Sequence, residues 1–243
     1  MSDAFCGASA SPPGVRRTSI FAKGKNLDTG GALPRRGDQI KGPPQGLPCG
    51  VIGITGGSGA GKSTALEVLA DMGAVILDCD VVYHELAEAD GSMLDELAER
   101  FPGVVMDGRL LRKALGQIVF HDPAALADLN AITHNYVCRE IDTRLAALAA
   151  RGVSLIAIEA IALIESGLSQ RCDVVVGIIA PVADRLRRIT AREGIDPAYA
   201  AARIESQQSD AFFRAHCDFI LENAYVSQAD FAAACRVLFG RVL

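Results

Sequence analysis

The sequence predicts an α/β fold in which a parallel β-sheet is covered by helices on both faces. Short runs rich in β-branched residues alternate along the chain with segments of helical periodicity, as strands and their crossover helices would. Half of the 243 residues are apolar, which is enough for a full core. We expect the strands at 51–55, 74–78, 154–159, 173–180 and 218–222.

Three stretches of the chain need a separate explanation. Residues 1–48 are rich in Pro, Gly and Ser and have almost no apolar periodicity, so we expect a disordered leader. Residues 80–152 are far more than one crossover needs, and they predict several helices inserted between the second and third strands. Asp196 and Pro197 have the pattern of an N-cap and a first-turn proline, so residues 184–212 predict a helix–turn–helix flap.

A glycine-dense turn follows the first predicted strand. Residues 53–64 read GITGGSGAGKST and fit the phosphate-binding pattern G-x-x-x-x-G-K-[ST]. Apolar residues at helical spacing follow the turn and stop at Gly73, so strand, turn and helix stand in the required order. Backbone N–H groups would then face one phosphate group, with Lys62 reaching the β- and γ-phosphates and Ser63 holding Mg²⁺. A glycine-rich turn with a surface lysine is the alternative.

Acidic residues follow two of the predicted strands. The second strand ends in LDCD, which places Asp78 and Asp80 at its carboxyl edge, and the third strand ends at Glu159. Ligands of open parallel sheets bind outside these carboxyl ends, so the acids are candidates for acceptor and metal contacts. Helix capping or a solvated loop position is the alternative for each of them.

Arginine residues cluster in the flap: Arg185, Arg187, Arg188, Arg192 and Arg203. Arg188 and Arg192 are four residues apart and share a helix face. Two guanidinium groups on one face repel each other unless an anion joins them, and a triphosphate would supply that anion. The alternative is an exposed helix whose arginines pair with Glu193 or Asp184.

Charge and cysteine content argue against several classes of protein. The net charge is +4 over residues 1–50 and −9 over the other 193, which disfavours a nucleic-acid-binding surface on the folded part. The seven cysteines are scattered and form no C-x-x-C pair, so neither a disulfide framework nor a zinc site is expected. No apolar run approaches the ~18 residues of a membrane span, and a signal-peptide core is lacking. We expect a cytoplasmic protein with no nucleic-acid or membrane partner.

Seven segments, in this order, together resemble the dephospho-CoA kinase family: GITGGSGAGKST, ILDCD, AITH, IEAIALIESG, RLRRITAREG, ARIESQQ and ILEN. That family phosphorylates the ribose 3′-hydroxyl of dephospho-CoA with ATP, the last step of coenzyme A synthesis. The resemblance implies a domain over residues 49–243 with a five-stranded parallel-sheet P-loop core. It also implies an inserted helical acceptor subdomain at about 80–152 and a helical lid at about 184–212. ATP and dephospho-CoA would be the substrates and Mg²⁺ the cofactor.

The resemblance also implies roles for individual residues. Catalytic roles fall on Lys62, Asp78, Arg188 and Arg192. ATP-binding roles fall on Gly57, Ser58, Gly59, Ala60, Gly61, Lys62, Ser63, Thr64 and Asn223. The acceptor is expected at Asp78, His84, His134 and Glu165, and the metal at Ser63 and Glu159. Arg203 and Gln207 match the R-I-x-x-Q pattern of the family.

Four positions depart from the family pattern. His84 stands where arginine is common, Asn135 replaces a proline, Glu159 replaces an aspartate, and Ile161 stands where proline is frequent. The departures fall at expected acceptor and metal contacts, so they bear on those contacts rather than on the reaction class.

Two other functions share the phosphate-binding turn. Another small-molecule kinase, such as a nucleoside monophosphate kinase, would use most of the same site, and acceptor competition would separate the two. A non-catalytic switch of GTPase type is disfavoured, because no N-K-x-D motif occurs and no D-x-x-G follows the turn. We expect a monomer, although nothing in the sequence fixes the oligomeric state.

Overall fold

The computed structural model describes residues 50–243, and the leader predicted at residues 1–48 lies outside the described residues. The described chain has seven strands: β1 (Gly50–Gly56), β2 (Val75–Asp78), β3 (Val105–Met106), β4 (Arg109–Leu110), β5 (Leu155–Glu159), β6 (Val174–Ile179) and β7 (Phe219–Glu222). Five of them form one parallel sheet in the order β2-β5-β1-β6-β7. The predicted fold class is confirmed, and each predicted strand agrees with the observed one to within one residue at either end.

Nine α-helices lie in the described part of the chain: α1 (Lys62–Asp71), α2 (Cys79–Ala89), α3 (Gly91–Arg100), α4 (Arg112–Val119), α5 (Pro123–Ala150), α6 (Val182–Glu193), α7 (Pro197–Glu205), α8 (Asp210–His216) and α9 (Gln228–Val242). None of these helices is long and apolar enough to cross a membrane. The predicted N-cap of α7 is confirmed, since the Asp196 carboxylate accepts the Ala198 N–H at 2.8 Å. The predicted flap at 184–212 contains most of α6, all of α7 and the start of α8.

The core lies on both faces of the sheet, because successive strand residues point to opposite sides. On one face Val51 belongs to a buried cluster with residues of α2, α3, α4 and α5, such as Ile141. On the other face Ile52 belongs to a cluster with Leu69 of α1 and Phe239 of α9. Every residue of β6 is buried, which explains its uninterrupted apolar sequence.

An aspartate just before the strand fixes the start of both β6 and β7 by a pair of hydrogen bonds to the neighbouring strand. Asp173, just before β6, accepts the Val51 N–H at 2.7 Å, and its own N–H donates to the Val51 carbonyl at 2.7 Å. Asp218, just before β7, accepts the Val175 N–H at 2.7 Å and donates to the Val175 carbonyl at 2.9 Å. Each aspartate therefore extends the pairing of parallel strands by one residue and fixes their register.

A cysteine precedes each of these aspartates and packs over a glycine of the adjacent strand. A Cβ atom on Gly53 would lie 2.8 Å from the Cys172 sulfur, and one on Gly177 would lie 2.8 Å from the Cys217 sulfur. Both distances are far below van der Waals contact, so the two glycines are required for close packing of the cysteines on the sheet.

The region at 80–152 differs from the sequence prediction in two details. Besides α2 to α5 it contains an antiparallel hairpin of β3 and β4, which turns at Asp107 and Gly108 with positive φ at both residues. Strands of two residues are too short to show alternation, so the periodicity gave no signal. Asp80 lies in the first turn of α2 and not at the end of β2, because the helix begins directly after the strand.

We predict that Asp173→Ala and Asp218→Ala each lower the free energy of unfolding by about 1–3 kcal/mol. Each substitution leaves a buried strand N–H without its acceptor, and urea unfolding measures the loss. Asp71→Ala is the control, since within residues 50–243 Asp71 makes an exposed ion pair with Arg236, and its removal should cost less than about 1 kcal/mol. An equal decrease in the free energy of unfolding for Asp173→Ala and Asp71→Ala would show that the Asp173 hydrogen bonds do not stabilise the strand pairing.

Candidate active site

The glycine-dense turn joins β1 to α1 at the carboxyl edge of the central strand. Gly59 and Gly61 have φ values of 74° and 112°, which residues with a Cβ rarely adopt. Helix α1 begins at Lys62, so the positive end of its dipole faces the turn. The turn and the first turn of α1 hold the predicted ATP-binding residues Gly57, Ser58, Gly59, Ala60, Gly61, Lys62, Ser63 and Thr64. We call residues 56–63 the phosphate loop.

Lys62 lies against the end of two strands. Its Nζ donates to the Gly56 carbonyl at 3.0 Å and lies 3.4 Å from Oε1 of Glu159, the last residue of β5. The Lys62 side chain is only 12% exposed. Burial raises the pKa of Glu159, the Lys62 ammonium opposes this shift, and Asp78 and Asp80 add to it. One lysine therefore faces more carboxylate charge than it neutralises.

Asp78 is the last residue of β2 and is paired in register with Glu159. Its Oδ1 accepts the N–H groups of Asp80 at 2.9 Å and Val81 at 3.1 Å, so the carboxylate caps α2. The capping role named as the alternative is therefore present, and it uses one of the two carboxylate oxygens. Because β5 lies between β2 and β1, Asp78 and the phosphate loop are two strand spacings apart, roughly 10 Å.

Arg188 and Asn223 contact the phosphate loop directly. Arg188 Nη1 donates to the Gly59 carbonyl at 3.2 Å, and its Nη2 donates to the Asn223 side-chain oxygen at 3.3 Å. The Asn223 amide, just after β7, donates to the Ala60 carbonyl at 2.9 Å. The structure thus brings two of the predicted site residues onto the backbone of the loop.

Glu193 joins two other arginines of the flap. It accepts a hydrogen bond from Arg192 Nη2 at 2.5 Å and another from Arg203 Nη1 at 2.7 Å. Burial raises the pKa of Glu193, but the two guanidinium charges outweigh burial and lower it overall. The Arg192 side chain is 58% exposed, so pairing with Glu193, the alternative named above, still leaves it open to solvent.

Two further side chains contact the loop. The sequence alone places Arg185 only in the arginine cluster and matches Gln207 only to the R-I-x-x-Q pattern. Arg185 Nε donates to the Ser58 carbonyl at 3.0 Å, and Arg185 Nη2 donates to Gln207 Oε1 at 2.7 Å. The same Gln207 oxygen accepts the Ser58 N–H at 2.8 Å, and Gln207 Nε2 lies 2.6 Å from the Ser58 hydroxyl. A signal existed for Arg185, since it lies three residues before Arg188 and so shares its helix face.

The candidate acceptor side is formed by α2, α5 and the segment after β5. His134 of α5 lines a small cavity together with Cys79 and Ala160, the residues that follow Asp78 and Glu159. Burial lowers the pKa of His134 to about 4, so its imidazole is neutral at pH 7.

The other two predicted acceptor residues, His84 and Glu165, follow the ends of β2 and β5 in the chain. His84 is half-buried in α2, and its ring centroid is 5.5 Å from that of Tyr83. Glu165 is exposed after β5 and accepts a hydrogen bond from Gln208 Nε2 at 2.9 Å. This contact links the segment after β5 to the end of the flap.

Comparison with known proteins agrees with this geometry. A model of the dephospho-CoA kinase family matches residues 50–228. The chain belongs to the dephospho-CoA kinase family. A dephospho-CoA kinase of Leifsonia xyli subsp. xyli is 41% identical over 175 residues, covering 71% of this chain and 88% of the relative.

Two further comparisons extend the similarity to sequence and fold. A dephospho-CoA kinase of Deinococcus radiodurans is 39% identical over 173 residues, covering 71% of this chain and 83% of the relative. A crystal structure of a Thermus thermophilus protein superposes with a TM-score of 0.67 at 32% identity, covering 80% of this chain and 98% of that one. The resemblance drawn from the motifs is confirmed, and dephospho-CoA kinases are enzymes.

We predict that His134→Gln reduces the acid sensitivity of the fold. The folded chain keeps His134 neutral down to a pH near its pKa of about 4, whereas the unfolded chain takes up a proton near pH 6.5. The unfolded state therefore binds more protons as the pH falls through this window, and the free energy of unfolding decreases. Between pH 7 and pH 5 the wild-type chain should lose about 2 kcal/mol that the variant keeps.

Urea unfolding at these two pH values measures the difference. His121→Gln removes an exposed imidazole and is the matched control, which should follow the wild-type pH dependence. An identical pH dependence for His134→Gln and the wild-type chain would show that His134 does not titrate as its burial implies.

Proposed function

We propose that this chain transfers the γ-phosphoryl group of ATP to the ribose 3′-hydroxyl of dephospho-CoA, giving coenzyme A and ADP. One observation carries the proposal in a chain of this family: the phosphate loop, the Lys62–Glu159 pair and Asp78 all lie at the same edge of the sheet. Lys62 Nζ is 3.4 Å from Glu159 Oε1, and Asp78 ends β2, the strand that pairs with β5. Ligands of open parallel sheets bind at this edge. ATP and the acceptor hydroxyl could therefore meet there.

The N–H groups of residues 59–64 would bind the ATP phosphates, with the positive end of the α1 dipole behind them. Lys62 would exchange its contact with Glu159 for the β- and γ-phosphates. Ser58 is engaged with Gln207 and Arg185, so we assign it and Gly57 a supporting contribution to ATP binding. Asn223 would act in the same way through its contact with the loop.

The residues at this edge fit a Mg²⁺ ion. Hydroxyl and carboxylate oxygens are the ligands that Mg²⁺ prefers. Burial first, and then the charges of Asp78 and Asp80, raise the pKa of Glu159, and a cation beside it would oppose that shift. Among residues 50–243 no group of three His, Cys, Asp or Glu side chains could hold a metal alone, as suits an ion bound mainly by phosphates and water. Ser63 would hold the ion directly and Glu159 through water. When bound, Mg²⁺ would neutralise charge on the phosphates.

Asp78 would orient the acceptor hydroxyl and accept its proton. Phosphoryl transfer has a loose transition state, so alignment and charge stabilisation matter more than covalent chemistry. Lys62, Arg188 and Arg192 would supply the positive charge around the γ-phosphoryl oxygens. Arg192 is best suited to a changing contact, because it is exposed and held by a single carboxylate.

The flap at 184–212 would act as a lid and exclude water, which is a competing acceptor. Residues 80–152 would form the acceptor region, with His84, His134 and Glu165 near the acceptor. The exposure of Glu165 and the position of His134 beside Cys79 and Ala160, which follow Asp78 and Glu159, support this assignment. Action as a monomer in the cytoplasm, without a nucleic-acid or membrane partner, stays a prediction.

The function is tested by supplying MgATP and one acceptor at a time: dephospho-CoA, AMP, CMP, shikimate and gluconate. We expect coenzyme A, identified by mass, from dephospho-CoA and no comparable product from the others. Lys62→Ala is the control. It should bind ATP weakly and form coenzyme A at less than about a tenth of the wild-type rate. Preferred phosphorylation of AMP or CMP would assign the chain to nucleotide metabolism instead.

We predict that Asp78→Asn lowers kcat by about 10²- to 10⁴-fold, the usual effect of losing a positioned acid–base group. Asn keeps the size of the side chain and an oxygen able to cap α2, so ATP affinity and melting temperature should remain near those of wild type. Steady-state kinetics, ATP titration and thermal unfolding of this one variant are sufficient. A near-normal kcat would leave Asp78 with its capping role only.

A further inference from the structure

Three successive carbonyl groups of the phosphate loop accept hydrogen bonds from side chains outside the loop. The Ser58 carbonyl accepts from Arg185 at 3.0 Å, and the Gly59 carbonyl accepts from Arg188 at 3.2 Å. The Ala60 carbonyl accepts from Asn223 at 2.9 Å. All three donors come from segments more than 120 residues further along the chain.

These contacts determine where the N–H groups of the loop point. No cis peptide bond occurs among residues 50–243, and in a planar trans peptide the C=O and the following N–H face opposite sides. A Ser58 carbonyl held by Arg185 therefore directs the Gly59 N–H away from Arg185. The Ala60 carbonyl held by Asn223 directs the Gly61 N–H away in the same manner.

Ser58 is the most completely fixed residue of this set. Its carbonyl binds Arg185, its N–H binds Gln207, and its hydroxyl oxygen lies 2.6 Å from the Gln207 amide nitrogen. Arg185 is 4% exposed, Ser58 4% and Gln207 9%, so water does not compete for these bonds. Burial lowers the pKa of Arg185, and the nearby Asp210 carboxylate opposes the shift.

We propose that Arg185 and Gln207 are positioning residues that hold the phosphate loop in its phosphate-binding shape before nucleotide arrives. We call this pair the Ser58 clamp. The proposal rests on the proposed function and adds two residues that act on ATP through Ser58 and do not contact it. The buried guanidinium also places a positive charge behind the loop, where the surrounding protein screens it less than water would.

Packing around Gly57 gives an independent way to disturb the clamp. A Cβ atom at this position would lie 2.2 Å from Arg185 Nη2 and 2.9 Å from Gln207 Oε1. Gly57 is not among the glycines with positive φ, so alanine would avoid the strain that a positive φ imposes. Gly57→Ala should therefore act by expelling the Arg185 guanidinium.

The test compares Arg185→Ala and Gln207→Ala with the wild-type chain. Calorimetric titration with MgADP gives the dissociation constant, and thermal unfolding shows that each variant is folded at the titration temperature. We expect each substitution to raise the dissociation constant about 10- to 100-fold, the effect of losing hydrogen bonds to a charged group. Arg187→Ala is the matched control on the same helix, because Arg187 is exposed and its ion pair in the described part of the chain is with its helix neighbour Asp184. Its dissociation constant should stay within about twofold of wild type.

A double-mutant cycle makes the test specific. If Gly57→Ala acts by expelling Arg185, the Gly57→Ala/Arg185→Ala double variant should bind MgADP about as tightly as either single variant. If the fold-increases in the MgADP dissociation constant of the two single variants multiply in the double variant, Gly57→Ala and Arg185→Ala act separately. This result would contradict the clamp.

Arg185→Lys covers the case in which Arg185→Ala does not fold. Lysine keeps the charge but not the fork that reaches Ser58 and Gln207 together, so it should restore only part of the affinity. In steady-state kinetics the clamp variants should raise KM for ATP and leave KM for dephospho-CoA near that of wild type.

The outcomes separate the clamp from the proposed function, because MgADP binding needs no acceptor. Variants that lose melting temperature but bind MgADP as tightly as wild type would overturn the clamp and leave a purely structural role. A wild-type chain that binds MgADP without phosphorylating dephospho-CoA would contradict the proposed function alone.

Discussion

A phosphate-binding loop must direct several N–H groups to one point, and its carbonyl groups must then find partners on the opposite side. In this chain the partners are Arg185 and Arg188 of α6 and Asn223 after β7. The loop is thus held by segments that the β2-β5-β1-β6-β7 order brings beside β1. The shape of the phosphate loop therefore depends on the position of α6, because side chains of this helix bind the carbonyl groups of the loop.

Charge at the sheet edge follows a related constraint. Glu159 is buried at the end of β5, and a buried carboxylate is costly unless a cation lies beside it. Lys62 supplies that cation at 3.4 Å, while Asp78 and Asp80 add negative charge. An edge with surplus carboxylate attracts a cation and repels a bare triphosphate. In the proposed function, ATP carried with Mg²⁺ would satisfy both demands, and the loop and the acids would then act together.

Local patterns in the sequence predicted most of the fold and part of the site. The five sheet strands, the phosphate loop and the Asp196 cap depend on residues close in the chain, so periodicity and cap chemistry were enough. The β3–β4 hairpin was missed because strands of two residues carry no period. The contacts of Arg185 and Gln207 with Ser58 span 127 and 149 residues. Local spacing places Arg185 on the helix face of Arg188, but it does not show which distant residue Arg185 contacts. The sequence predicted the capping role of Asp78 only as an alternative, because an aspartate at this position suits both a helix cap and an acceptor contact.

Exposure along α6 separates anchoring from contact with a ligand. Arg185 is 4% exposed and bound to the loop. Arg192, two turns later on the same face, is 58% exposed and pairs with Glu193. Moving the whole helix would break the buried bonds of Arg185, each unsatisfied group costing about 1–3 kcal/mol. Moving only its far end breaks an exposed ion pair worth about 1 kcal/mol or less. The helix is therefore firmly held where it contacts the loop and less constrained at its far end, where Arg192 would reach the transferring phosphoryl group in the proposed function.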